Sequence, residues 1–293
     1  MLTKRAFLTA LGASGAFVSI NALADGGDPA LKISAERKIK LIARERTLVE
    51  DIVKDACLVH LGIKPAHYLA KIAYDIEEIE AVIRGVQYGD PVRGLLREED
   101  GEVIAALRAA NTLWLPFADM AATVLASGTA DKAMLRAMNE ADMPILARFD
   151  AVVVELERAY ANGTLPLHVA VATKLAVRQT TLTQRIAKEA CYITADVDAA
   201  RMRKKMPELV AQFENTLMAL KNGFAPLGIQ APKPALAGAW ASVEGEWATF
   251  KATVEPVMQG ATLDVAALTV VGDQSSSLIE AIEAATELYE ATI

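Results

Sequence analysis

Arg178 and Arg185 stand seven residues apart, three residues after Leu175 and Leu182 respectively. On a helix with leucine at heptad position a, both arginines fall at d and point toward a helix seam, two turns apart on one face. Two desolvated guanidinium groups placed there repel unless an anion or carboxylates intervene. A planar guanidinium pair matches the fork geometry of a small oxyanion, so anion binding is one reading of this spacing. The other is ion pairing with acids or helix carbonyls of neighbouring helices, of which an acidic chain offers many.

Other reactive side chains form weaker patterns. Cys57 and Cys191 are the only cysteines and lie far apart, which excludes a zinc cluster with CxxC spacing and leaves room for one bridge at most. Packing as two buried thiols is the expected state, since cysteine is among the most buried residue types. The three histidines, His60, His67 and His168, fall in no HExxH or Cys-His arrangement, so no metal site is expected. Asp75, Glu77, Glu78 and Glu80 read as a solvated acidic helix face. The loops GDPVRG (Gly89 to Gly94) and GFAPLG (Gly223 to Gly228) lack the strand and Lys-Ser/Thr of a phosphate loop and read as helix connections. Trp114 with Phe117 and Trp247 with Phe250 read as core. With no nucleophile relay or acid-base pair in a recognisable arrangement, neither an enzyme nor a cofactor is expected.

An internal repeat organises these residues. The stretch from Arg44 to Cys57, RERTLVEDIVKDAC, aligns with RQTTLTQRIAKEAC from Arg178 to Cys191, and seven of the fourteen pairs are identical. The offset of 134 carries Gly89 and Gly94 onto Gly223 and Gly228; after a slip to 133, Trp114, Phe117 and Asp131 fall on Trp247, Phe250 and Asp264. Arg44 corresponds to Arg178, whereas Asp51 replaces Arg185, so an anion site applies mainly to the second copy and Arg44 is its remnant in the first. Arg46 replaces Thr180 and suggests no role.

Apolar residues at Leu41, Leu48, Ile52, Ala56, Val59 and Ile63 follow the helical period, as do their counterparts from Leu175 to Val197. Glycine, proline and Asp-rich breaks divide each copy into four long segments. Short links between amphipathic helices imply antiparallel neighbours. The expected fold is all-α: two tandem up-and-down four-helix bundles, residues 25–163 and 164–293. Pro116, Pro144, Pro207 and Pro256 lie inside or near the start of helical patterns, and interior prolines are expected to kink them.

Composition agrees with helices. Hydrophobic residues make up 53% of the chain but aromatics only 5%, leaving Ala, Leu, Glu, Lys and Arg dominant. The formal net charge of -7 argues against nucleic acid, which requires a basic face. Residues 1–24 have the form of an export signal: Lys4 and Arg5, an apolar stretch from Ala6 to Ile20, and Ala22-Leu23-Ala24 before a cleavage point at Asp25. Thr3-Lys4-Arg5-Ala6-Phe7-Leu8 is similar to a twin-arginine signal with lysine in the first arginine's place, so the export route stays open. Periplasmic localisation is the expectation; the alternative is an uncleaved membrane anchor.

RQTTLTQRIAKE, from Arg178 to Glu189, resembles the RQRMLSQRIAKE signature of the N-terminal domain of type IV pilus methyl-accepting chemotaxis transducers, the PilJ-type domain. The glycine turn at Gly223 to Gly228 and Trp247 with Phe250 fit the same family. The resemblance covers nearly the whole chain after the leader, with the first copy more divergent. It implies a periplasmic sensory bundle related to those of nitrate and nitrite sensors, which bind their anion through arginines on the first helix. Nitrate or nitrite is then the expected ligand, at Arg178 and Arg185 with Arg44 as the remnant. The sequence contains no counterpart of the family's membrane-spanning output helix, kinase or methyl-accepting region, so signalling is expected to pass through a membrane partner. A homodimer, or a pseudo-dimer made of the two copies within one chain, is the expected assembly. The competing function is a non-enzymatic structural or assembly protein of the envelope, acting through protein contacts.

Overall fold

Local signals in the chain fix where each helix begins and stops. The computed structural model describes residues 29–160 and 167–291; the export signal expected over residues 1–24 lies outside them. Among the described residues there are eight α-helices: α1 Pro29–His60, α2 Pro65–Tyr88, α3 Gly101–Ser127, α4 Lys132–Tyr160, α5 Leu167–Thr194, α6 Ala199–Asn222, α7 Pro234–Met258 and α8 Val265–Ala291. Pro65 opens α2, where a missing N–H costs nothing. The Asp100 carboxylate accepts from the N–H groups of Glu102 and Val103 to cap α3, and Gly128, at φ 68°, closes it in the left-handed conformation that glycine adopts without strain. Asp131 and Asp264 cap α4 and α8 alike, accepting from Met134 at 2.7 Å and Ala267 at 2.8 Å. That shared task explains why both halves carry aspartate there.

The first four helices pack together and the last four likewise, and their apolar interiors join across the seam into one continuous core. In each half the first helix lies between the second and the fourth, and the third closes the ring. Ile52, Trp114, Phe117 and Phe149 fill the first interior and Ile186, Phe213, Trp240 and Phe250 the second, all without solvent exposure. Truncating such a residue to alanine typically costs about 2–5 kcal/mol. The four prolines all fall within helices. The two glycine-flanked loops close alike, Asp90 pairing with Leu95 and Phe224 with Ile229, each in an isolated antiparallel bridge, although the second also winds a 3-10 turn at Ala225–Leu227. Both act as connections between helices. No described helix is long and apolar enough to cross a membrane.

The halves meet along α1 and α5. Thr47 faces its own counterpart Thr181, with hydroxyls 3.0 Å apart, and further along Cys57 faces Cys191. Equivalent residues meeting at two points along a helix pair require the helices to run parallel about a local two-fold axis between them. The two cysteines expected to pack as separate thiols are instead bonded to each other, their Cα atoms 6.2 Å apart. Repeat spacing alone did not reveal this, because it depends on which faces of α1 and α5 are turned together.

Candidate functional site

Around the α1–α5 seam the side chains form two flanks related by the local two-fold. Lys54 donates to Gln184 at 3.0 Å on one flank, and on the other its counterpart Lys188 lies 2.6 Å from Glu50. Lys188 also bonds to Asp142 of α4. These groups are almost fully buried. Burial works against the Lys188 charge, but Glu50 and Asp142 together hold the ammonium above its ordinary value. Burial raises the Glu50 carboxyl, with Lys188 opposing.

Arg178 and Arg185 both lie on this second flank, pointing at the seam between the halves rather than into the second bundle's own interior. The Arg185 guanidinium stands 3.8 Å from Glu50. Arg46, which suggested no role in the sequence, pairs with Asp150 of α4 and sits beside Arg178. Arg178 itself is half-buried and makes no hydrogen bond or ion pair with any described residue. Burial first, then Arg46 and Arg185, lower its hold on the proton, with Asp150 opposing. A guanidinium nonetheless stays charged at neutral pH. Four cations, Arg46, Arg178, Arg185 and Lys188, face four carboxylates, Glu50, Asp142, Asp150 and Glu189, and of the four cations Arg178 is the one without an ion pair among the described residues.

The opposite flank differs. Arg44 is not brought together with Arg178 and Arg185; it lies 3.8 Å from Glu78 and acts on Glu283, the residue corresponding to Asp150. Thr180 stands in place of Arg46 and bonds to the carbonyl of Val177. Asp51, in place of Arg185, turns into the first bundle, where Lys54 lies at 2.5 Å and Lys71 at 3.1 Å.

That interior is unexpectedly ionic. Asp75, read from sequence as part of a solvated face, is only 3% exposed. It faces Asp51 and Asp55, and burial and these two carboxylates push its carboxyl up to about 8. Burial and Asp51 likewise push Asp55 up to about 7, whereas Lys54 and Lys71 outweigh burial at Asp51 and hold it below its ordinary value. Nearby Glu45 is wholly buried with neither carboxyl oxygen hydrogen-bonded, and burial raises it far above the usual range. Glu78, from the same acidic stretch, is held by Arg93 at 2.7 Å. A charge run on one helix reads as solvated until the facing helix is known; here the inward charges of α1 meet Asp75 and Lys71 of α2.

His60 donates to the carbonyl of Ala130 at 2.6 Å, and its counterpart Thr194 accepts from the Leu263 N–H, so both tie the first helix to the turn before the fourth. Trp114 with Phe117 and Trp247 with Phe250 are core pairs, with ring centroids 5.6 and 6.0 Å apart.

Residues 167–270 match the family model described as type IV pili methyl-accepting chemotaxis transducer N-term, PilJ. The match covers α5, α6 and α7 and the start of α8, including Arg178 and Arg185. No curated protein and no solved structure matches the chain. The second half is thus similar, over residues 167–270, to the N-terminal domain of type IV pili methyl-accepting chemotaxis transducers.

Proposed function

We propose that this is an exported, non-enzymatic sensory protein that binds a small oxyanion at Arg178 and passes its bound state to a membrane signalling partner. The observation that carries the reading is the half-buried guanidinium of Arg178, which has no hydrogen bond or ion pair with any described residue and is set beside Arg46 and Arg185. An oxyanion bonded to Arg178 and bridging toward Arg185 would give this guanidinium the partner it lacks among the described residues. Nitrate and nitrite are the ligands of choice from the family resemblance. The parallel α1–α5 pair makes the chain a covalent pseudo-dimer, with a ligand between halves positioned to change how these two helices sit against each other. A cysteine bridge across the seam favours an oxidising compartment, in keeping with export and cleavage after Ala24.

Thermal unfolding of residues 25–293 against a panel of small anions, beside Arg178→Ala, tests this. A ligand at about 100 times its Kd should add about 2.7 kcal/mol of stability to the native protein and nothing to the variant. A flat panel would remove the anion and leave the match to a sensory family without a ligand.

A further inference from the structure

We propose that the interior of the first bundle is a binding site for one hard divalent cation, ligated by Asp51 and Asp55 of α1 and Asp75 of α2. One carboxylate oxygen from each aspartate lies within 4.8 Å of the others. Metal–oxygen bonds of roughly 2.0–2.6 Å place neighbouring ligand atoms at about such separations, so a single ion touches all three. All three aspartates are buried, and the donors are oxygen throughout, a set that selects Mn²⁺, Ca²⁺ or Mg²⁺ over softer metals.

Two groups point to a ligand independently of the clustering. Asp75 makes no hydrogen bond or ion pair with any described residue, and its Oδ2 is sealed from solvent. Tyr68, 2% exposed and two helical turns before Asp75 on the same face of α2, also has a buried hydroxyl without a partner. Burial and the carboxylates of Asp55, Asp273 and Asp51 push this phenol up to about 12, which places it in their field. Buried polar atoms left without partners are uncommon in folded proteins, and two around one acidic cluster mark a place where something polar belongs.

Charge supplies the remaining argument. The three aspartates have two ammonium groups beside them, Lys54 and Lys71, both engaged with Asp51 and Asp55. Lys54 is pinned by Gln184 at 3.0 Å across the seam, but the Lys71 side chain is 27% exposed and reaches in from the rim. With Lys71 swung into solvent, a divalent ion and Lys54 balance the three aspartates. The second half lacks this option: its counterparts of Asp51, Asp55 and Asp75 are Arg185, Glu189 and Leu209. The cation site is thus confined to the first half, as the oxyanion reading is confined to the other flank.

The test is titration of the chelator-treated mature chain with Mn²⁺, following loss of the free-ion electron paramagnetic resonance signal, with Ca²⁺ and Mg²⁺ as competitors. One ion per chain is expected, weakened at least tenfold in Asp75→Asn, a change that keeps the side chain's size. Lys71→Met removes the competing ammonium and should bind Mn²⁺ as well as the native chain or better. Arg178→Ala should bind it unchanged, which keeps this site separable from the oxyanion reading. Absence of binding by all three ions, equal affinity in Asp75→Asn, or weaker binding in Lys71→Met would overturn the proposal.

Discussion

The two halves place their side chains at matching positions, and at a few of these the charge is reversed or lost. At the counterpart positions 51 and 185 the first half has an aspartate facing inward to Lys54 and Lys71, whereas the second has an arginine facing the seam beside Glu50. Positions 75 and 209 hold a buried carboxylate and a leucine, and positions 46 and 180 an arginine and a threonine. Positions that carry the frame changed little: the threonines and cysteines on the axis, the lysines at 54 and 188, and the aspartates that cap the fourth helices. A backbone frame of this kind constrains size and hydrogen bonding along the seam but leaves the sign of charge on each flank free to diverge. One half carries a buried cluster of aspartates inside, and the other half's arginines gather on the flank of the seam.

The largest expected effect comes from breaking the flank that holds Lys188. Lys188→Met leaves Glu50 and Asp142 buried without their cation, and removing one partner of such a buried cluster costs about 3–5 kcal/mol. Chemical denaturation should show that loss, partly restored when Glu50→Met is added. Next in size is the bridge on the axis. Replacing Cys57 and Cys191 by alanine opens a loop spanning 134 residues and should lower stability by about 2–5 kcal/mol, with a matching fall in Tm.

A smaller effect separates the first interior from the second through pH. The folded-state carboxyl of Asp75 lies at about 8 against an ordinary 3.8, so the folded chain retains a proton that the unfolded chain releases. Its contribution to stability is fully present below the unfolded value and is lost as pH rises through about 8. Asp51, Lys54 and Asp55 face it from α1 and Lys71 from its own helix. In chelated buffer the decline in stability between these pH values should be shallower in Asp75→Asn. The mirror substitution, Leu209→Asn, has no charged group to relieve and should leave the pH profile's shape unchanged. The smallest effect belongs to Arg178→Ala without ligand. Since this guanidinium has no partner among the described residues and sits near two other arginines, stability should shift by less than about 1 kcal/mol.

Much of the frame was legible in the sequence because it rests on local signals. Apolar period, glycine turns, Pro65 and the caps at Asp131 and Asp264 each act within a few residues. The heptad position of Arg178 and Arg185 placed them on a seam, but not on the one between halves. What stayed hidden depends on the angle at which helices face each other. The Cys57–Cys191 bridge, the pairing of Arg46 with Asp150 and the burial of Asp75 all follow from packing between segments distant in the chain. One signal for Arg46 was present: it breaks the repeat at a position adjoining Thr47 and Thr181, and so marks where the flanks diverge.

Isothermal titration of nitrate and nitrite into the native chain, Arg178→Ala and Arg44→Ala tests the oxyanion reading most directly. One site per chain is expected, abolished in Arg178→Ala and retained in Arg44→Ala, because Arg178 stands beside two further guanidinium groups without an ion pair among the described residues, whereas Arg44 lies against Glu78. Undiminished binding in Arg178→Ala, or equal loss in both variants, would contradict an anion site built on the difference between the halves.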